Sequence, residues 1–85
     1  MALELQQLRQ VVALAEHGSF VRAAAALYIS QPALSRSIKN LERQFGSELF
    51  LRSSTGVVPT DLGRLYVARA RDLLRMADEL DREAV

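Results

Sequence analysis

The run from Ser19 to Gly46, SFVRAAAALYISQPALSRSIKNLERQFG, restricts the possible folds of this chain more than any other segment. It reads as two short amphipathic helices separated by Tyr28, Ile29 and Ser30, and the second carries nearly all its polarity on one face. Ser19 is placed to cap the first helix, which is expected to bury Phe20, Ala23, Ala24 and Leu27. Alanines at those positions let another helix cross at close range. Ser30 offers a second cap, and Pro32 falls in an opening turn, where its missing N–H costs nothing. The second helix then runs to Phe45 and stops at Gly46.

On a wheel of about 100° per residue, Leu34, Ile38, Leu41 and Phe45 form one apolar stripe, expected to face the core. The opposite arc holds Pro32, Arg36, Lys39 and Arg43, with Ser35 and Asn40 on its flanks. Cations and short polar groups at the start of a protruding helix suit the major groove. Its base edges offer acceptors to Arg and Lys and mixed patterns to Ser, Asn and Gln. A polar helical face is by default only a solvated one. The spaced caps, the short turn and the alanine-packed first helix favour DNA contact through a helix-turn-helix at about residues 19–45.

The rest of the chain fits around that motif. A helix is expected from Glu4 to His17, with Leu5, Leu8, Val12 and Ala15 on its core face and Gly18 ending it. His17 suits the negative end of that helix dipole, and no Asp or Cys neighbour would orient it for catalysis or metal binding. After Gly46 the pattern alternates. Leu49 to Arg52 reads as a strand, Ser53 to Gly56 as a turn and Val57 to Pro59 as the returning strand, a small wing anchored by Phe50. Thr60 then caps a helix running from Asp61 to Val85 with no Pro, about 37 Å long at 1.5 Å per residue. That exceeds what so small a core can cover. Along it Tyr66, Ala70, Leu73, Ala77, Leu80 and Ala84 recur at alternating steps of four and three, a heptad seam widened by Leu62, Leu65 and Leu74. Such a seam calls for a partner helix, so a homodimer is expected.

Composition narrows the function classes. The 85 residues, 49% hydrophobic, support one modest core. The chain has no Cys, which removes disulfides, thiol catalysis and Cys-based zinc sites. No apolar run would span a bilayer and no leader peptide is evident, so a soluble cytoplasmic protein is expected. A net charge of +1 is small for a nucleic-acid binder, yet residues 19–60 hold Arg22, Arg36, Lys39, Arg43 and Arg52 against only Glu42 and Glu48. The positive charge lies where DNA would pass.

Over essentially its whole length the chain resembles the N-terminal domain of LysR-type transcriptional regulators. The resemblance rests on LRQVVALAEHGSF, AAAAL, ISQPALSRSIKNLE, LFLR and GVVPTDLG, in that order and spacing. It implies a mainly α, bacterial winged helix-turn-helix: a three-helix core with a two-stranded wing at residues 1–60, then a linker and dimerisation helix at 61–85. It also implies that this linker helix pairs antiparallel with that of a second subunit. Members often carry more basic residues at the wing tip than Ser53, Ser54 and Thr55 supply. Complete members continue into an effector-binding domain of two α/β lobes. This chain has none of it, and so reads as a DNA-binding module whose small-molecule effector would act through the parent protein.

The function expected is therefore sequence-specific binding of double-stranded DNA, with two recognition helices facing a partly palindromic operator. Gln31, Pro32, Ser35, Arg36 and Lys39 are expected at bases, Arg36 being best suited to a bidentate guanine contact. Ser19, Arg22, Ser30, Arg52 and Thr60, at helix starts and on the wing, are expected at phosphates. No cofactor or metal is called for. An alternative is a helical protein–protein interaction module that uses the same surfaces. An enzyme is disfavoured, because the serines lack a His and carboxylate in register and no Gly-rich phosphate loop occurs.

Overall fold

A computed structural model describes residues 3–84. The order is α1 (Leu5–His17), α2 (Phe20–Leu27), α3 (Gln31–Phe45), β1 (Phe50–Ser53), β2 (Gly56–Pro59) and α4 (Asp61–Glu83). This is a mainly helical winged helix-turn-helix followed by a long helix. Val85, the expected last residue of that helix, lies outside the described residues, as do residues 1 and 2 of the expected first unit.

Local chemistry sets the helix ends. The hydroxyls of Ser19, Ser30 and Thr60 accept hydrogen bonds from the N–H groups of Arg22, Ala33 and Gly63, each three residues on. Gly18 and Gly46 close α1 and α3 at φ of 63° and 67°, the left-handed conformation that glycine adopts without strain. Tyr28 closes α2 in the same conformation at φ 59°, the one non-glycine with positive φ among the described residues.

The core joins Val11 and Leu14 of α1, Phe20, Ala23 and Ala24 of α2, Leu34, Ile38 and Leu41 of α3, Leu49, Phe50 and Val67. Leu27 is only half-buried against it. The buried face of α1 differs from the one expected. Leu8, Val11 and Leu14 are enclosed, Val12 and Ala15 are half-buried and Leu5 is exposed. Residues 11–15 are all apolar, so periodicity could not choose among them. The choice falls to the packing of α2, α3 and α4 around α1. Phe45 also departs from expectation: at the last position of α3 it passes the edge of the core and is exposed. Its ring meets Tyr66 edge-on, centroids 5.4 Å apart. A part-buried polar link joins α3 to α1, where Ser37 Oγ donates to Oε1 of the buried Gln10.

The wing is antiparallel, pairing Phe50 with Pro59, Leu51 with Val58, Arg52 with Val57 and Ser53 with Gly56. The first strand is shifted one residue from the expected Leu49–Arg52, leaving Leu49 outside it, and the second gains Gly56, so that Ser54 and Thr55 form the tip. Near its tip the second strand is stitched to the α1–α2 corner by Val57 N–H donating to Gly18 O at 3.0 Å. The start of α4 rests on the residue before β1: Leu49 O accepts Thr60 N–H at 2.9 Å, and a Cβ on Gly63 would overlap that same oxygen. Helix α4 thus packs by its backbone there, then buries Val67 and Ala70. Alanine is the better helix former by about 1 kcal/mol. Even so, Gly63→Ala should destabilise the chain by about 1–3 kcal/mol, because a carbonyl and not a flexible side chain must yield. A lowered urea midpoint checks this; an unchanged or raised one would show that the contact relaxes freely.

Candidate nucleic-acid interface

The outward arc of α3 emerges from the packing of its inner one. With Leu34, Ile38 and Leu41 sealed in the core, Gln31, Pro32, Arg36, Lys39, Asn40 and Arg43 stand exposed. Arg43 Nη1 donates to Asn40 Oδ1 at 2.8 Å, which holds the C-terminal part of this face in one arrangement. Arg36 and Lys39 take part in none of the ion pairs among the described residues, which join Arg64 to Asp61, Arg71 to Glu16 and Arg75 to Asp72. Their charge is therefore available to an outside anion.

Wing and recognition helix approach one another across a groove of about 300 Å³ whose walls include Ser35, Ile38, Lys39, Phe50 and Arg52. Ser35, expected at bases, is half-buried, and its Oγ accepts a long 3.4 Å hydrogen bond from Arg52 Nη2. The guanidinium carbon of Arg52 also lies 4.2 Å from the Phe20 ring centroid. Sequence reasoning assigned Phe20 to the core alone. No periodicity could have disclosed this contact, because the two residues meet only through the tertiary fold. Glu42 was likewise missed. Its Oε2 accepts the N–H groups of Leu49 at 2.7 Å and Phe50 at 3.2 Å, fixing where the wing leaves α3. The available hint was an acid within an otherwise basic stretch.

The hydroxyl positions separate by what remains free on each oxygen. Ser19 and Ser30 accept a backbone N–H, so each keeps a proton to donate. Thr60 accepts from Gly63 N–H and donates to Glu48 O at 2.8 Å, so its proton is already used within the fold. Arg22 extends one arm to His17 O at 3.0 Å, bridging α2 to the end of α1.

On α4 the expected seam divides. Ala70 is only 1% exposed, on the same side as Gly63 and Val67, and Tyr66 is half-buried against Phe45. Burial pushes the Tyr66 phenol above its ordinary pKa, so it stays neutral. Ala70 is thus used by the chain's own core, a correction to the expected seam that follows from the close approach of α4 at Gly63. Leu73 at 39%, Leu80 at 65% and Ala84 remain open, with Ala77 half-buried, and Leu65 and Met76 are exposed beside them. Among the described residues no group of three or more His, Cys, Asp or Glu could hold a metal ion. No described helix is long and apolar enough to cross a membrane.

Residues 5–64 match the model of the bacterial regulatory helix-turn-helix proteins of the lysR family. The chain belongs to the LysR family. Its LysR-type winged domain is 45% identical over 84 residues to the small neutral protease regulatory protein of Streptomyces coelicolor, covering 99% of this chain and 26% of that one. The chain thus spans about a quarter of the length of the curated relatives it matches. Among solved structures it is similar to the BenM DNA-binding domain in complex with catB site 1 DNA. The TM-score is 0.92 at 40% identity, over 96% of this chain and 92% of that one. It is also similar to full-length OxyR C199D from Pseudomonas aeruginosa, with a TM-score of 0.90 at 37% identity, over 98% of this chain and 28% of that one.

Because Glu42 alone satisfies the two N–H groups at the root of the wing, Glu42→Ala should cost about 1–3 kcal/mol. It should also speed hydrogen exchange at Leu49 and Phe50. Unchanged exchange at both amides would show that other acceptors take over.

Proposed function

We propose that this LysR-type domain reads a partly palindromic operator as a homodimer, serving as the DNA-binding module of a longer bacterial, cytoplasmic transcriptional regulator. The observation that carries this reading is the unpaired cationic arc of α3, capped at Ser30, on a fold superposable on a relative bound to DNA.

Gln31, Pro32, Arg36 and Lys39 lie at the N-terminal end and on the outer arc of α3, the part of a recognition helix that enters the major groove. Arg36 can present two donors to guanine O6 and N7, and Pro32 offers an apolar edge to a thymine methyl. Ser35 adds a hydroxyl at the wall of the groove beside them. Ser19 and Ser30 donate to phosphate from helix starts, where the dipole also favours negative charge. Arg22 and Arg52 supply cations on either side, and these contacts fix register without reading sequence. Thr60 stays with the fold as the α4 cap. A twofold pairing along Leu73, Ala77, Leu80 and Ala84, joined by Leu65 and Met76, would cover the apolar face of α4. Two α3 helices would then lie about 34–36 Å apart, or a multiple of that. The 1–60 and 61–85 division is one of role: α4 begins as part of the core and ends as the pairing surface. An effector, if the parent protein responds to one, acts outside these residues.

Selection from random duplexes with the purified chain should return paired half-sites. On such a duplex Arg36→Ala should lose about 10- to 100-fold in affinity and much less on scrambled DNA. Equal losses on both would reduce Arg36 to a phosphate contact, and recovery of no enriched sequence would remove the operator-reading role.

Leu73→Glu places a charge on the open face of α4 and should leave the fold intact. Sedimentation should then show a monomer, and operator binding should weaken at least about tenfold through lost avidity. An unchanged dimer would move the interface elsewhere.

A further inference from the structure

Arg52 is the only cation of the wing, and no carboxylate contacts it within ion-pair distance: the ion pairs among the described residues all lie elsewhere. Glu42 and Glu48 line the same groove, but Glu42 Oε2 is engaged by the N–H groups of Leu49 and Phe50. The guanidinium is held instead by uncharged groups, the Phe20 ring with its centroid 4.2 Å from the guanidinium carbon, and Ser35 Oγ at 3.4 Å. The distinction has a physical consequence. A carboxylate would cancel the charge and compete with phosphate, whereas a ring face and a hydroxyl fix a flexible side chain and leave its full charge. Phe20 is itself packed in the core, 8% exposed, and opens α2 directly after the Ser19 cap.

We infer that Phe20 is a positioning residue for DNA binding. Its ring pre-orients Arg52 toward the phosphate backbone and ties the wing to the helix pair, so that Arg52 loses little freedom on contact. The inference rests on the proposed DNA-binding role and adds to it a residue that touches no DNA.

The test replaces Phe20 by progressively fluorinated phenylalanines, which keep the ring shape while draining its negative face. This is done in the parent chain and in Arg52→Ala, with affinity and salt slope measured on the duplex recovered by selection. In the parent, affinity should fall stepwise, about two- to fivefold across the series. In Arg52→Ala the series should be flat, with the salt slope reduced by about 0.9. Phe20→Tyr, which keeps a ring face, should retain the coupling even if the heavily fluorinated chains fold poorly. Urea midpoints taken alongside register any effect through the core.

A fall of equal size in both backgrounds would assign Phe20 to the core alone and overturn the inference. Arg52→Ala binding with unchanged affinity and slope, while Arg36→Ala fails to bind, would also overturn it and leave the DNA-binding role standing. Failure of the parent chain to bind any duplex would remove both.

Discussion

Burial of Leu34, Ile38 and Leu41 against α1 and α2 is the constraint on which the rest depends. These side chains fix the rotation of α3 about its own axis, and a helix fixed in rotation has its outer arc fixed as well. Arg36 and Lys39 point outward because turning them inward would both expose the stripe and bury unpaired charge, each costly. The exposed cationic surface is thus a consequence of core packing. The same stripe holds α3 beside the wing, whose departure is set by the Glu42 carboxylate.

Around that helix the fold uses a few directed contacts in place of a large core. The outer part of the wing is pinned by Gly18 and Val57, its root by Glu42, and α4 by backbone approach at Gly63. The first and last of these join segments distant in the chain, which matters in a domain whose interior is small. Helix α4 serves two surfaces. Its Gly63, Val67 and Ala70 side completes the domain, while Leu65, Leu73, Met76 and Leu80 lie outside it.

Much of this was legible in the chain itself. The helix-turn-helix with its two caps, the Thr60 cap of α4, the glycine stops and the hairpin all follow from residues within a turn of the features they create. The exposed arc of α3 followed from the same periodicity. The chain did not disclose that Ser35 and Phe20 both hold Arg52, or that Thr60 has already spent its proton on Glu48. Those contacts join residues from separate elements.

Local sequence sets where α2, α3 and α4 begin, where α1 and α3 stop and which side of α3 is polar, because capping bonds and left-handed closures are satisfied within about four residues. Tertiary structure alone decided which of the apolar residues 11–15 of α1 is enclosed and that Ala70 belongs to this chain's interior. It alone also gave Arg52 a ring in place of an acid. In each of these cases several neighbouring positions satisfied the same local rule. The choice among them was made by the shape of surfaces that meet only after the chain has folded.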